Sequence, residues 1–145
     1  MILGNHMPSQ AFKRNVLSVA DGNFDRPLAC TENDLPPIPE GWTIHLETLI
    51  AIKMRGNCDP HVDELQVPAP KVPHGKRVEQ CSLFWLVHDT SKITDTSRSM
   101  TQLFAEGKFK QMKPNDWAMF DDTELHGFFC NGTWAGIAVQ MTSIT

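Results

Sequence analysis

The hexapeptide DPHVDE, residues 59–64, places a histidine and an aspartate two positions apart. In an extended chain, side chains two positions apart point to the same side, so His61 and Asp63 can offer an imidazole nitrogen and a carboxylate oxygen to one point. His126 is the best candidate for a third ligand, because it stands in MFDDTELHGFF, between a strand-like segment and the terminal apolar segment. Two histidines and one carboxylate leave the other positions of a bound metal open, which is typical of non-haem iron(II) sites.

The same residues allow other interpretations. His61 and Asp63 would hydrogen-bond each other or cap the proline-rich loop that follows them. Cys58 and His61 have the C-x-x-H spacing with which some zinc sites begin, although the sequence supplies no second close pair. Asp122 and Glu124 share the strand parity of His126, and each is either an acceptor that orients an imidazole or a solvated carboxylate.

The elements that would position these side chains are mainly strands. Residues 43–55, TIHLETLIAIKMR, alternate with the period of a strand. Their apolar side chains on one face are Ile44, Leu46, Ile50, Ile52 and Met54. EQCSLFWLVHD, residues 79–89, is apolar on both faces and predicts a buried strand. GKFKQMK and DWAMFDD predict short strands, separated by Pro114-Asn115.

Between these strands the sequence indicates a helix and loops. SQAFKRNVLSVA, residues 9–20, predicts a short helix capped by Ser9, while the overlapping RNVLSVADG is also compatible with a strand. Prolines predict loops over residues 31–41 and beyond His61, where any strand must be brief. The polar residues 89–102, DTSKITDTSRSMTQ, predict an exposed loop.

The final apolar segment contains the strongest turn signal in the chain. Asn131-Gly132 is typical of a two-residue hairpin, because both residues tolerate a positive φ. That hairpin would place Cys130 opposite Thr133 and His126 opposite Ile137. The residues expected to share the His126 face are Thr133, Ala135, Ile137 and Val139.

Many short strands with one helix predict an all-β sandwich or small barrel. We expect a single domain over residues 1–145, with its core at about 43–140 and residues 1–41 packing on it as a loop and short helix. Trp85, Trp117 and Trp134 are expected to pack in the core.

Composition narrows the class of protein. The 145 residues are 41% hydrophobic and 21% charged, which is typical of a soluble globular domain. A net charge of −4 gives no basic footprint for duplex nucleic acid, and no apolar run approaches the length of a membrane span. MILGNHMPSQ lacks the apolar core of a signal peptide. We therefore expect a cytoplasmic protein whose four cysteines (Cys30, Cys58, Cys81 and Cys130) are reduced, with disulfides as the alternative.

The order of these features resembles a known family. An HxD motif after a strand, the buried strand CSLFWLV and the segment MKPNDWAMFDDTELHGF are similar to the iron(II) and 2-oxoglutarate-dependent dioxygenases, over roughly residues 43–140. The resemblance implies a double-stranded β-helix, or jelly roll, with at most one or two short helices. It implies that iron(II) is held by His61, Asp63 and His126. It further implies 2-oxoglutarate as a co-substrate, whose oxidative decarboxylation is coupled to oxidation of the substrate.

The family's anion-binding residue is not in its usual place. Most members carry an arginine on the last strand that holds the distal carboxylate of 2-oxoglutarate, but no Lys or Arg follows the last histidine here. A buried dicarboxylate needs a fixed cation. A Jumonji-like subset uses a lysine on the strand after HxD, and GKRVEQCSLF offers Lys76, the first choice, and Arg77. Lys53 and Arg55 are further options.

Two other classes of function stay open on the sequence. One is a cupin-like metalloenzyme that does not use 2-oxoglutarate, and the other is a non-catalytic β-sandwich that binds a partner or has a structural role. The substrate is open among a small molecule, a protein side chain and a nucleobase, and the oligomeric state is open as well.

Overall fold

The computed structural model describes residues 1–19, 25–90 and 101–145. Within these ranges the chain forms one α-helix, α1 (Gln10–Val19), a short 3-10 helix (Glu32–Asp34) and ten strands. The strands are β1 (Ile2–Asn5), β2 (Asp25–Pro27), β3 (Thr43–Arg55), β4 (Cys58–His61), β5 (Val78–Asp89), β6 (Gln102–Ala105), β7 (Lys108–Gln111), β8 (Asp116–Phe120), β9 (His126–Phe129) and β10 (Thr133–Ile144).

The strands form two antiparallel sheets that face each other as a jelly-roll sandwich. The larger sheet has the order β1-β8-β5-β10-β3-β2, and the smaller has the order β4-β9-β6-β7. This architecture confirms the predicted all-β class. β3 and β5 each have a neighbour on both sides, so their predicted central positions are also confirmed. The short strands β7 and β8 likewise fall inside the segments predicted for them.

An inter-sheet core fills the space between the two sheets. Its buried members are Phe84, Leu86, Leu103, Ala105, Met112, Ala118, Phe120, Phe128, Cys130 and Trp134. The rings of Phe128 and Trp134 lie 4.4 Å apart and join β9 in the small sheet to β10 in the large one. Trp134 therefore packs in the core as expected, and Trp85 and Trp117 are buried on the other side of the large sheet.

Helix α1 covers the outer face of the large sheet and creates a second, helix-side core. The helix begins where the Ser9 hydroxyl accepts a hydrogen bond from the main-chain N of Phe12 at 3.1 Å. Phe12 and Val16 are buried, and the Phe12 ring stacks on Trp85 with centroids 5.6 Å apart. The helical interpretation is confirmed over residues 10–19, and β5 is buried because both of its faces are covered.

The N-terminal residues contribute more than the expected loop and helix. β1 pairs with β8 and β2 pairs with β3, so these residues also form both edge strands of the large sheet. Neither ILGN nor DRP is long enough to show an alternating pattern. Neither strand could therefore be predicted from a periodic pattern.

A bulge divides β3 and reverses its faces. Ala138 of β10 pairs with Ile50, but Gln140 pairs with His45, so β3 advances five residues (50 − 45) while β10 advances two (140 − 138). The three extra residues are an odd number, and an odd shift exchanges the two faces of a strand. Ile44 and Leu46 consequently pack on the helix-side core, whereas Ile52 and Met54 pack on the inter-sheet core. The prediction of one continuous apolar face was wrong for this reason.

The predicted hairpin at Asn131-Gly132 was also wrong. β9 pairs with β4 and β6, while β10 pairs with β3 and β5, so the turn carries the chain from one sheet to the other. The Phe128 ring of β9 and the Trp134 ring of β10 pack on each other at a tilted angle across the space between the two sheets. His126 accordingly lies opposite His61 rather than Ile137. Of the residues expected to share its face, Ala135, Ile137 and Val139 belong to the helix-side core.

The remaining loops agree in part with expectation. β4 is brief, and no strand occurs in the described chain between His61 and Val78. Residues 91–100 of the predicted polar loop lie outside the described residues, while Thr101 is buried and Gln102 begins β6, a strand that was not predicted. All four cysteines are free thiols. Among the described residues, no helix has the length and apolar character needed to cross a membrane.

Candidate metal centre

The three predicted ligands converge at one end of the sandwich. His61 is the last residue of β4, His126 is the first residue of β9, and the two are direct partners across these antiparallel strands. Asp63 follows in the loop. Its Oδ2 lies 3.0 Å from His126 Nε2, and its Oδ1 lies 3.6 Å from His61 Nε2. One candidate ligand atom from each residue of this triad lies within 4.8 Å of the other two, which is close enough to share one metal ion.

A bulge in β4 brings His61 to the correct side. Cys58 pairs with Phe128 and His61 pairs with His126, so three steps along β4 match two along β9. Without the extra residue, Cys58 and His61 would face opposite sides; with it, both face the same cavity. Gly127 makes room for this bulge, because a Cβ there would lie 2.9 Å from the main-chain O of Cys58.

Both imidazoles are oriented by main-chain carbonyls. His61 Nδ1 lies 2.8 Å from the carbonyl O of Asp59, and His126 Nδ1 lies 2.9 Å from the carbonyl O of Glu124. Because a carbonyl can only accept, each Nδ1 carries the hydrogen and each Nε2 is directed toward Asp63. This is the tautomer in which a neutral histidine binds metal through Nε2.

Contacts within the triad shift the pKa values of Asp63 and His126. The hydrogen bond from His126 holds the pKa of Asp63 below its usual value, against the opposing effect of burial. Burial of the His126 ring disfavours its charged form. The hydrogen bonds to Asp63 and to the Glu124 carbonyl, with the charges of Asp63 and Asp122, outweigh this burial and raise the pKa of His126. The His126 Nε2 and Asp63 Oδ2 atoms that share this hydrogen bond are the atoms that would bind a metal ion, so a proton and a metal ion compete for them.

Asp122 holds the main chain at Asp63. Its side chain is fully buried, and its main-chain O accepts a hydrogen bond from the N–H of Asp63 at 2.9 Å. Its carboxylate accepts hydrogen bonds from Gln80 Nε2 at 2.7 Å, Ser82 Oγ at 2.5 Å and Gln140 Nε2 at 3.2 Å. Asp122 is therefore neither solvated nor in contact with an imidazole nitrogen.

Gln140, on the last strand, fixes the loop that follows Asp63. Its Nε2 donates to the carbonyl O of Glu64 and its Oε1 accepts from the N–H of Gln66, both at 2.9 Å. Sequence reasoning did not identify this residue. The signal that could have found it is a glutamine inside the otherwise apolar run GIAVQM.

The triad opens into a cavity of about 360 Å³ between the two sheets. Its lining residues are mostly apolar: Ile50, Ile52, Phe84, Leu103, Phe120, Phe128, Trp134, Ala138 and Val139, with Gly127. The polar lining residues besides the triad are Thr48, Cys58, Gln66, Ser82 and Gln140. Burial, followed by the charges of Asp59 and Asp63, raises the pKa of the Cys58 thiol, so this lining group is uncharged.

The structure does not bring Lys76 or Arg77 to the cavity. Both are exposed in the loop before β5, and the Arg77 guanidinium lies 4.0 Å from the Glu79 carboxylate. The β5 residues that do line the cavity, Ser82 and Phe84, lie further along the strand.

The cations of β3 are also remote from the cavity wall. Arg55 is exposed at the end of the strand. Lys53 alternates with Ile52 and Met54, which pack on the inter-sheet core, so Lys53 is on the opposite face. None of the described residues that line the cavity is a lysine or an arginine.

No protein-family model matches the chain, and no curated protein sequence matches it. The likeness to iron(II) and 2-oxoglutarate-dependent dioxygenases therefore stays a prediction.

Proposed function

We propose that this protein is a mononuclear non-haem iron(II) enzyme that uses oxygen to oxidise a substrate held in the cavity. The observation that carries the proposal is the convergence of His61, Asp63 and His126, with both Nε2 atoms presented to the carboxylate by carbonyl-bound rings. Two neutral nitrogens and one carboxylate oxygen are the donor set of iron sites with open positions. The triad lines the cavity, so the open positions would face bound substrate.

When bound, the iron would supply the coordination positions at which oxygen and substrate meet. The protein chain holds the three ligand side chains in the orientation that metal binding needs. The carbonyls of Asp59 and Glu124 fix the two rings, and strand pairing fixes the distance between them. Asp63 has no strand partner, and its place is held by Asp122 and Gln140 through the main chain of its loop. The apolar wall would limit the access of water to the reacting atoms.

We infer that the described wall of the cavity favours a reaction without 2-oxoglutarate. The distal carboxylate of this co-substrate needs a buried cation, and none of the described lining residues is Lys or Arg. The last strand presents Gln140 to the cavity, and its amide is already hydrogen-bonded to Asp122, Glu64 and Gln66. These observations favour the cupin-like alternative, an iron enzyme that does not use 2-oxoglutarate. Convergence of the triad favours it over a non-catalytic module.

Iron titration of the full chain tests the proposal. Under anaerobic conditions, isothermal titration calorimetry should detect a single iron(II) site, and Asp63→Ala should abolish it. His74→Ala is the matched control, because His74 is exposed in the loop before β5 and should leave binding unchanged. Iron binding that survives in Asp63→Ala would overturn the metal centre. Addition of 2-oxoglutarate to the iron complex should produce no visible charge-transfer band, whereas such a band would restore the co-substrate.

A further inference from the structure

We infer, on the basis of the proposed metal centre, that the cavity selects an uncharged aromatic ligand that presents a metal-binding oxygen to the triad. The inference depends on three features of the wall: its aromatic rings, the hydrogen bonds that its polar groups already make, and its charge. A ligand with a carboxylate or an ammonium group at the end remote from the metal would be excluded.

Aromatic rings extend from the triad into the cavity. The Phe120 ring lies 5.0 Å from that of His126, and the Phe128 ring lies 5.0 Å from Phe84 and 4.4 Å from Trp134. These rings meet at tilted angles, an arrangement that leaves both ring edges and faces available to a guest ring. A volume of about 360 Å³ is at the small end of ligand cavities, which suits one substituted ring.

The side chains of Thr48, Ser82, Trp134 and Gln140 in the wall are already paired with protein groups. Ser82 Oγ donates to Asp122, and Thr48 Oγ1 donates to the His45 carbonyl O while it accepts from the N–H of Gln140. The Trp134 indole N–H donates to the carbonyl O of Gly56 at 2.8 Å. A carboxylate buried beside these groups would gain few hydrogen bonds in exchange for its lost hydration.

The charge of the wall disfavours both anions and cations. Asp122 lies behind Ser82 and Gln140, and none of the described lining residues could neutralise a ligand carboxylate. A ligand cation is no better placed, because the Asp122 carboxylate is fully buried and already accepts three hydrogen bonds. An uncharged ligand avoids both costs.

Three catechols with the same metal-binding group test the charge requirement. They are 4-ethylcatechol, 3,4-dihydroxyphenylacetate and dopamine, which carry a neutral, an anionic and a cationic side chain. Each is titrated calorimetrically into the anaerobic iron(II)-loaded full chain, with metal retention checked by equilibrium dialysis. We expect 4-ethylcatechol to bind roughly tenfold or more tightly than either charged compound. Equal or tighter binding of the anion or of the cation would overturn the inference.

Two variants test whether the ring enters the cavity. Ala138→Leu and Ile52→Phe each add bulk to the wall and should weaken 4-ethylcatechol binding roughly tenfold without changing iron affinity. Ala11→Leu, on the exposed side of helix α1 and outside the cavity lining, is the matched control and should bind 4-ethylcatechol like the wild type. Unchanged binding of 4-ethylcatechol in both enlarged variants would place the ligand outside the cavity and overturn the inference. Failure of the proposed iron centre would be detected separately, because iron(II) would then not bind before any catechol is added.

Discussion

His61 and His126 are direct partners across two antiparallel strands, with ring centroids 4.4 Å apart. The separation of the two nitrogen ligands is therefore set by strand pairing, the most rigid device available in a β-sandwich. Asp63 is the ligand without this support. It depends on Asp122, which binds the main-chain N–H of Asp63 itself, and on Gln140, which binds the main chain of Glu64 and Gln66 after it.

Gly127→Ala tests the strand support. The new Cβ would lie 2.9 Å from the carbonyl O of Cys58 and 3.1 Å from the N of Pro60, so β4 must move away from β9. We expect iron(II) affinity to fall about tenfold or more, as it does when the support of a ligand is disturbed. Stability should fall by about 1–3 kcal/mol, the usual cost of overpacking. Calorimetric titration and denaturant unfolding measure the two effects.

Gly107→Ala is the control for that experiment. Gly107 has a φ of +72°, and a Cβ there would meet no atom within 4 Å. Alanine should cost stability through backbone strain while iron affinity is retained. Wild-type iron affinity in Gly127→Ala would show that the β4 bulge does not position His61.

Gln140→Met tests the loop support. The substitution keeps the length of the side chain but leaves the Glu64 carbonyl and the Gln66 N–H without their present partner. We expect iron affinity to fall about tenfold, because loss of a group that positions a ligand typically has this effect. Gln111→Met, on the exposed edge strand β7, is the matched control and should bind iron normally. If both variants bind iron equally well, the loop holds Asp63 without Gln140.

The sequence predicted the triad because the local pattern and the topology agree there. His61 ends a strand and Asp63 lies two residues further, so the expected parity survives even though Asp63 is in a loop. The partner strand of His61 could not be inferred. Asn131-Gly132 indicated a local hairpin, whereas β9 and β10 lie in opposite sheets with the Phe128 ring packed against Trp134, a long-range arrangement that a turn signal does not encode.

Bulges limited what could be predicted about which residues share one face of a strand. A strand pattern shows which residues alternate but not where an extra residue is inserted, so the reversal between Leu46 and Ile50 in β3 was not visible. Gln140 was overlooked for a related reason. Its role depends on a hydrogen bond to Gln66, 74 positions earlier, and no local pattern encodes such a contact.

The pH dependence of iron binding follows from the raised pKa of His126. Iron must displace the proton between His126 and Asp63, so affinity should fall as the pH decreases through that raised pKa, at a higher pH than for an ordinary histidine. In the metal-free protein, protonated His126 contributes stability that is complete below the ordinary histidine pKa and is lost as the pH rises through the raised value. The lowered pKa of Asp63 means that its contribution is present above the ordinary aspartate pKa and is lost only as the pH falls through the lowered value.

The increase in Tm caused by iron(II) should therefore grow as the pH rises through the His126 pKa. Differential scanning calorimetry of the metal-free and iron-loaded protein in a series of buffers measures this increase. His74→Gln, an exposed histidine, should leave the profile unchanged. An increase in Tm that does not vary with pH would mean that His126 is not the group from which iron displaces a proton.

Phe84 and Leu86 are neighbours on one face of β5, and they should respond differently to truncation. Both belong to the inter-sheet core, but Phe84 lines the cavity and Leu86 does not. Replacing either residue by alanine should lower the free energy of unfolding by about 2–5 kcal/mol.

Phe84→Ala should in addition enlarge the cavity, because the lost ring faces open space. In the iron-loaded protein, Phe84→Ala should therefore improve the binding of 4-tert-butylcatechol relative to 4-ethylcatechol, and Leu86→Ala should not. The ratio of the two dissociation constants is independent of how much iron each variant retains, so a destabilised variant still gives a result. An equal ratio in both variants would show that the ring of Phe84 does not bound the ligand space, and Phe128 and Trp134 would then be the aromatic residues of β9 and β10 that do.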